Sequence, residues 1–532
     1  MAQIFNFISR SGNLRLSQKG VVLIFFAFIL GLAAAAYLLK AFNITNLQAT
    51  QDKRASLILA NAKEAIIGYS LSRTGAGERP GDMPRPDYFA STETPANYDG
   101  ETDGGCLDAT SANGLPLISS GSDMRCLGRL PWKTIGMSNL SPSQNDTLGN
   151  MPWYAVSANL VDPTCMKTIN PNVVNMVYTS YQCNSTTNLP HPWLTVKDAL
   201  GNIISNRVAV VIILPMASIG AQSRPGSPLA GITSYLEAGN SDFDNVFTLS
   251  AANSLFNDRL VFITIDELMA AIGRRASSDA SMLVKKYQLK NTHFPYAAPL
   301  GSLLNNHISS GSSTKGMVPI DVTDTCGCTS STSCSCSFSP ITSVAFTRAS
   351  GTAWTSSTGC SRSGATCTCT GAGSCTRGAR TFSCTASGLC THNVTGTTNT
   401  YTYSVPQYAD VYSSNAGCTV SSNQAVCMSA GQFTVGLKEP TWFKANLWQD
   451  YLYYEWSATP NIQLGARSGL SAILINAGNT NVSEIGRVQN RPSSDIRDYL
   501  DSTENTNNDT IFDTSNKQKT INYNDQPFVI SP

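Results

Sequence analysis

Cysteine is the residue type in this sequence with the greatest capacity for chemistry. The 532 residues include 16 cysteines and four histidines. Twelve of the cysteines lie between residues 326 and 427, and none belongs to a C-x-x-C pair. Zinc sites usually include histidine or repeat such a pair. The spacing therefore favours disulfide bonds formed in an oxidising compartment, with a copper or zinc site as the alternative.

The cysteines divide into a dense group, residues 326–390, and three more widely spaced pairs. Side chains alternate along a strand, so each C-x-C pair of the dense group would place both sulfurs on one face. These pairs are Cys326 with Cys328, Cys334 with Cys336, and Cys367 with Cys369. The disulfide candidates outside the dense group are Cys106, Cys126, Cys165, Cys183, Cys418 and Cys427.

Catalytic motifs are missing from the sequence. No nucleophile elbow, zinc-protease helix, phosphate-binding loop or dinucleotide fingerprint stands in a strand–helix context. The four histidines are scattered, and His191 and His293 lie beside prolines and aromatic residues that favour a structural role. The sequence predicts no catalytic residue and no enzyme. An extracellular hydrolase with an unrecognised site is the alternative.

One acidic turn has part of the pattern of a calcium loop. Asp99, Glu101 and Asp103 alternate with Gly100 and other small residues, which places oxygen ligands at alternate positions. The bidentate glutamate that usually closes such a loop is missing, so a solvated acidic turn is the alternative. We predict no cofactor, calcium being possible, and no other metal site.

The charge of the chain excludes one class of partner. Charged residues make up 13% of the sequence, the net charge is +1, and no basic run follows residue 20. Nucleic-acid binding needs a dense basic surface to replace phosphate counterions. We therefore predict that the protein does not bind nucleic acid.

The element that would place these groups outside the cytoplasm is near the N-terminus. Residues 21–39 form an uncharged apolar run, and Arg10, Arg15 and Lys19 precede it. The run is long enough for a transmembrane helix, and the positive-inside rule would keep residues 1–20 cytoplasmic. The alternative is a cleaved secretory signal with its small residues at 33–36.

The helical pattern continues beyond the apolar run. Apolar residues recur at spacings of three and four between residues 51 and 73, and no proline occurs in residues 21–73. This predicts one continuous helix of roughly 80 Å at about 1.5 Å per residue.

The junction before the apolar run resembles that of type IV prepilins and type II secretion pseudopilins. Lys19 and Gly20 precede Val21, and the resemblance implies cleavage between Gly20 and Val21 by a membrane peptidase. The family usually has glutamate at the fifth mature position, where this chain has Phe25. The tip pseudopilin also lacks it, so the resemblance implies a tip or minor subunit. The implied partners are other pilin-like subunits and the membrane assembly machinery.

The sequence also contains an internal duplication. An apolar segment, an Arg-Pro pair, a Tyr-Leu-acid triplet, a phenylalanine and an aromatic-Asn-Asp triplet occur twice in the same order. The triplets are residues 235–237 and 256–258 in the first copy, and 499–501 and 523–525 in the second. Each copy reads as a helix followed by antiparallel strands. The predicted fold class is therefore α+β.

Five segments follow from these patterns. We predict a cytoplasmic leader at 1–20, a transmembrane and assembly helix at 21–50, and a first pilin-like α+β unit at 51–263. A second such unit comprises 264–300 and 437–532, and Thr264 with Glu267 would cap its helix. A β-rich insertion stapled by disulfides occupies 301–436, because its composition buries little apolar area.

The sequence thus predicts a minor or tip pilin-like structural subunit with a binding or adhesion role. The filament would be a type IV pilus or a type II secretion-type filament. The predicted location is the bacterial inner membrane, with a single pass, residues 21–42 in the bilayer, and a periplasmic head that can become extracellular in a filament. The alternative is a permanently membrane-anchored extracytoplasmic binding protein that enters no filament.

Overall fold

The protein combines helices with sheets whose strands are mostly antiparallel. It divides into two compact units, Met1–Asn61 and Ala62–Pro532. The computed structural model describes residues 18–75, 77–87, 99–102, 126–137, 151–161, 166–176, 191–222, 232–241, 244–301, 313–320, 440–507 and 509–532, and, between 322 and 436, the strands given below with residues 358 and 359.

A single helix begins in the first unit and ends in the second. Helix α1 (Gln18–Ser72) has 55 residues, close to the predicted 21–73. Gly20 and Val21 lie in its first turn. In its last turns Ala62 and Ile66 are fully buried. The Lys63 ammonium donates to the carbonyl oxygen of Phe262 at 3.1 Å and pairs with Glu267 at 2.8 Å.

The prediction of a transmembrane helix at 21–50 is wrong. A helix needs about 20 consecutive apolar residues to cross a bilayer. Within the part of the chain that the structure describes, no helix combines that length with that apolarity. The predicted single-pass location in the inner membrane, with residues 21–42 in the bilayer and a periplasmic head, is corrected by the same finding.

The first sheet follows α1 in the sequence. Its strands are β1 (Cys126–Arg129), β2 (Trp153–Val156), β3 (Leu194–Asp198), β4 (Ile203–Leu214), β5 (Val246–Leu249) and β6 (Arg259–Thr264). The order is β1-β2-β4-β3-β5, and β6 also pairs with β4. Residues 208–214 of β4 are all buried, because this uninterrupted apolar run is covered on both faces.

Helix α2 (Ile265–Asn291) leaves the first sheet directly from β6. The Thr264 hydroxyl accepts from the Glu267 N–H at 3.1 Å, so the predicted capping residue starts the helix. The helix ends at Thr292, whose φ of 62° is left-handed. Leu268, Ile272 and Val284 are fully buried along the helix.

Two sheets occupy residues 322–436, after the short strand β7 (Lys315–Met317). One has eight strands in the order β11-β14-β15-β16-β9-β8-β21-β18, and the other has six in the order β12-β13-β10-β17-β20-β19. The strands are β8 (Val322–Ser330), β9 (Ser333–Ser337), β10 (Val344–Arg348), β11 (Thr355–Ser356), β12 (Cys360–Ser363), β13 (Thr366–Cys369), β14 (Gly373–Arg377), β15 (Arg380–Cys384), β16 (Leu389–His392), β17 (Asn399–Ser404), β18 (Asp410–Ser414), β19 (Cys418–Ser421), β20 (Gln424–Cys427) and β21 (Gly431–Gly436).

The remaining strands, together with β7, form the sheets of the second copy, which we call the second head sheet; the first sheet described above is the first head sheet. The remaining strands are β22 (Leu452–Trp456), β23 (Ile462–Leu464), β24 (Arg467–Leu470), β25 (Ala472–Asn476), β26 (Ile511–Phe512) and β27 (Gln526–Ser531). One sheet has the order β27-β25-β22-β7, and a smaller one has the order β24-β23-β26. Two short helices accompany these strands: α3 (Thr441–Ala445) precedes β22, and α4 (Thr503–Thr506) precedes β26.

The two head sheets share one connectivity. The ladder β1-β2-β4-β6 corresponds to β7-β22-β25-β27, and β24 with β25 corresponds to the single long strand β4. Each copy also has one parallel pair. In the first copy β3 pairs with β5, with Val196 opposite Phe247; in the second, β23 pairs with β26, with Leu464 opposite Phe512. Helix α2 lies against β4 and β6 of the first copy and β25 and β27 of the second. One helix therefore serves both sheets.

Candidate functional site

A pair of buried carboxylates joins two loops in the first copy. The N–H of Glu237 donates to Asp258 Oδ2 at 3.0 Å. In return, the N–H groups of Asn257 and Asp258 donate to Glu237 Oε2 at 3.0 and 2.9 Å. Each carboxylate thus holds the backbone of the other. Asp258 lies directly before β6, so the pair fixes the start of that strand to the loop after β4.

Side-chain amides complete this first cluster. Gln222 Nε2 donates to Glu237 Oε1 at 3.0 Å, and Asn240 Nδ2 donates to Asp258 Oδ2 at 3.0 Å. Asn240 Oδ1 accepts from the N–H of Thr248 in β5 at 2.8 Å. The cluster thereby connects β5 and β6, which are not neighbours in the sheet.

The second copy repeats the carboxylate pair. The N–H of Asp501 donates to Asp525 Oδ2 at 2.9 Å, and the N–H of Asn524 donates to Asp501 Oδ2 at 2.6 Å. Asp501 and Asp525 occupy the positions of Glu237 and Asp258 in the repeated triplets. Asp525 lies directly before β27, as Asp258 does before β6.

The amides are repeated as well. Gln489 Nε2 donates to Asp501 Oδ1 at 2.9 Å, and Asn505 Nδ2 donates to Asp525 Oδ2 at 2.7 Å. Asn505 Oδ1 accepts from the N–H of Asp513 at 2.8 Å, just after β26. We call the two clusters the carboxylate latches: Gln222, Glu237, Asn240 and Asp258 in one, and Gln489, Asp501, Asn505 and Asp525 in the other.

Burial makes the latches proton-binding groups. Burial and, to a smaller extent, the neighbouring Glu237 carboxylate raise the pKa of Asp258 from 3.8 to about 7, against hydrogen bonds that lower it. Burial also raises the pKa of Asp501 to about 6. The pKa of Asp525 is raised well above its usual value by burial and by the Asp501 charge. Two like charges at such a site repel, and one proton shared between the two carboxylates of a latch removes this repulsion.

The unpaired oxygens indicate where that proton lies. Among the described residues, Asp258 Oδ1 and Asp525 Oδ1 are buried and have no hydrogen-bond partner. Their Oδ2 atoms each accept two hydrogen bonds. A proton on Oδ1 turns this atom into a donor and removes one of the two buried charges. The arrangement thus orders the chain and offers a site for one proton in each latch.

A guanidinium clamp stabilises the second latch. Arg491 donates to the carbonyl oxygens of Asp498 at 2.7 Å, Gly478 at 2.8 Å, Ala477 at 3.1 Å and Tyr499 at 2.7 Å. It also donates to Gln489 Oε1 at 3.1 Å, which orients the amide that binds Asp501. The peptide bond that follows, Arg491–Pro492, is cis. The corresponding Arg224–Pro225 of the first copy lies outside the described residues.

A second group of candidate residues lies in the insertion. Disulfides join Cys360 to Cys369 and Cys367 to Cys375. Cys360 and Cys369 face each other across β12 and β13. The other disulfide connects β13 of the six-stranded sheet with β14 of the eight-stranded sheet. We call these four residues the cysteine cluster.

The predicted disulfide residues outside this cluster are only partly described. Cys126 is disulfide-bonded. Cys418 and Cys427 lie opposite each other in the register of β19 and β20. Cys106, Cys165 and Cys183 lie outside the described residues. The pairing of these six cysteines therefore stays a prediction.

The acidic turn proposed for calcium is held by internal contacts. Asp99 Oδ1 accepts from the Glu101 N–H at 2.7 Å, and Glu101 pairs with Lys133 at 2.9 Å. The N–H of Gly100 donates to Asp87 Oδ2 at 2.8 Å. Asp103 lies outside the described residues, and calcium binding stays a prediction.

The aromatic segments belong to the core. Trp153 and Tyr453 are 4% and 2% exposed, and each packs in the apolar core of its own copy. Their rings are buried and offer no stacking surface to a sugar, so these two residues contribute to packing. The sequence analysis does not identify the latches, although the repeated Tyr-Leu-acid and aromatic-Asn-Asp triplets contain all four of their carboxylates. Repetition of acidic residues at buried strand starts was the available signal.

Comparison with known proteins gives no relative. No family model, curated protein or solved structure matches this chain. Function must therefore be argued from the contacts of the chain itself.

Proposed function

We propose that the protein is a minor or tip structural subunit of a pilin-like filament, in which α1 packs against helices of other subunits. The proposal includes no covalent chemistry. The observation that carries it is the exposed apolar surface of α1. Phe28, Ile29, Leu30 and Leu32 are between 53% and 65% exposed.

These side chains point in several directions around the helix. Successive residues of an α-helix are separated by about 100°, since 3.6 residues make one turn. Phe28, Ile29 and Leu30 therefore face three different sides. A single flat partner surface would cover only one of them, whereas a bundle of neighbouring helices covers all of them. Like helices of other subunits supply such a bundle.

The disulfides are consistent with an exported subunit. Disulfide bonds persist in oxidising compartments and are rare in the cytosol. The described insertion contains two of them, and Cys126 takes part in another. The duplicated head would then provide the surface for binding or adhesion.

The association of α1 can be tested with a double variant. Phe28→Ser with Leu30→Ser is expected to weaken self-association of the full chain about 100-fold, since burying each side chain is worth roughly 1.5 kcal/mol or more. Analytical ultracentrifugation across a concentration series measures this change. The matched control is Leu200→Ser with Ile521→Ser, which removes two side chains that are 86% and 88% exposed.

The control variant should associate like the native chain. The proposal would be overturned if the native protein stayed monomeric at all concentrations and bound no pilin-like partner. Equal weakening by the two double variants would also contradict it, because general surface apolarity would then explain the association.

A further inference from the structure

The cysteine cluster brings three sulfur atoms close together, and a fourth is bonded to one of them. The sulfurs of Cys360, Cys367 and Cys369 all lie within 4.8 Å of one another. Cys375 is bonded to Cys367 and therefore adds a fourth sulfur to the same group. Two neighbouring disulfides are enough to staple the strands. The close approach of one disulfide to the other needs a separate explanation.

The spacing is close to that of a four-thiolate metal site. Zinc binds thiolate sulfur at about 2.3 Å in a tetrahedron, which places the sulfurs about 3.8 Å from one another. The backbone already holds the residues near this arrangement. The Cα atoms of Cys360 and Cys369 are 4.0 Å apart, and those of Cys367 and Cys375 are 6.1 Å apart. Reduction of both disulfides would leave three neighbouring thiols, with the fourth, that of Cys375, next to Cys367.

Burial supports a closed site with one accessible side. Cys367, Cys369 and Cys375 are fully buried, whereas Cys360 is partly exposed. Three ligands would be shielded from water and oxidants, and Cys360 would face the side from which an ion or a reductant arrives. A tetrahedral site made only of thiolates selects a soft ion, zinc or copper(I), over calcium or magnesium.

We propose that the cysteine cluster has two states: an oxidised state with two disulfides, and a reduced state in which the four thiolates bind one zinc-type ion. This function is independent of filament assembly. It would make the connection between the two insertion sheets a redox-dependent one, because either the disulfide or the ion joins β13 to β14.

The conversion balances with a dithiol as reductant. Two dithiol molecules deliver four electrons and four protons, and each becomes a disulfide. The Cys360–Cys369 and Cys367–Cys375 bonds break, and four thiols form. When the ion binds, the thiols lose their protons to solvent and become thiolates.

The test is metal binding by the full chain after reduction with a phosphine, which avoids competition from dithiols. Cobalt(II) serves as the spectroscopic probe, and zinc protection against thiol alkylation, mapped by mass spectrometry, locates the ligands. The native chain is expected to show the absorption of tetrahedral cobalt with thiolate ligands. Zinc should slow alkylation of Cys360, Cys367, Cys369 and Cys375 about tenfold or more, because a thiolate bound to the ion is not free to attack the alkylating reagent.

A matched pair of variants separates this cluster from the other cysteines. Cys360→Ser with Cys369→Ser should abolish the cobalt spectrum, whereas Cys418→Ser with Cys427→Ser, on two strands of the same sheet, should retain it. Peptide mapping of the oxidised first variant should still find the Cys367–Cys375 disulfide, which shows that the sheets have formed. Equal metal binding by both variants, or unchanged alkylation of Cys367 and Cys375 with zinc, would overturn the proposal.

Discussion

Replacing Asp258 with asparagine is expected to stabilise the protein at neutral and alkaline pH, whereas replacing Glu237 with glutamine destabilises it. Asp258 Oδ1 has no hydrogen-bond partner in the described structure, and the Glu237 carboxylate is the charged neighbour of Asp258, so an amide at this position replaces a repelled charge with a donor. Both oxygens of Glu237 already accept hydrogen bonds, from Gln222 and from two backbone N–H groups. An amide nitrogen there would face a donor, at a cost of about 1–3 kcal/mol.

The effect of Asp258→Asn should depend on pH in a defined direction. The pKa of Asp258 is about 7 in the folded protein and 3.8 as its ordinary value. The folded state therefore binds the proton more tightly than the unfolded chain. The resulting stability is complete below pH 3.8 and is lost as the pH rises through 7. This loss is roughly 2–4 kcal/mol, since each pKa unit corresponds to about 1.4 kcal/mol.

Denaturant unfolding of the oxidised protein at pH 5 and at pH 8 measures these changes. Asp258→Asn should remove most of the pH dependence that the latch gives to stability. The gain in the free energy of unfolding over the native chain should therefore be larger at pH 8 than at pH 5. The second latch provides an internal replicate, in which Asp525→Asn should stabilise and Asp501→Asn should destabilise. The shared-proton interpretation fails if both substitutions within a latch change the unfolding midpoint in the same direction.

Replacing Arg491 with lysine is expected to lower the free energy of unfolding by about 3 kcal/mol or more. The guanidinium donates to four backbone carbonyls and to Gln489. A lysine ammonium has three N–H groups on a flexible stem and cannot reproduce this planar set. Hydrogen bonds of charged groups contribute about 1.5–3 kcal/mol each, and carbonyls left without a donor add a desolvation cost.

Arg467→Lys is the matched control, because Arg467 is exposed on β24. Its free energy of unfolding should stay within about 0.5 kcal/mol of that of the native protein, as for other surface substitutions. If Arg491→Lys lowered the free energy of unfolding as little as Arg467→Lys, the carbonyl contacts would contribute little to stability. The clamp would then not explain how the second latch is held.

Patterns with a clear period or a repeated order predicted the long helix, the start of the second helix and the two similar sheets. The spacing of apolar residues and the absence of proline predicted α1, and Thr264 with Glu267 predicted the start of α2. The repeated landmarks predicted two copies, and the two head sheets have the same strand connectivity. These features depend on local periodicity and order along the chain, which a single sequence displays directly.

Features that depend on contacts distant in sequence were not foreseen. The sequence analysis assigned one helix to each copy, whereas α2 lies against both sheets. The latches join residues 21 and 24 positions apart, and burial, which no sequence pattern reveals residue by residue, gives them their pKa shifts. The apolar run near the N-terminus predicted a membrane span from its length and its lack of charge, and that prediction was wrong.

The position of the insertion has a consequence for the history of the protein. The chain departs after β7, where the Val318 N–H donates to the carbonyl oxygen of Leu452 at 3.0 Å, and returns just before β22. The strand before the insertion, β7, is thus paired with β22, the first strand after it. Closing a loop costs only about 0.6 kcal/mol more for each doubling of its length. A lineage can therefore lengthen, shorten or exchange this segment by recombination while the register of the head sheet is inherited unchanged.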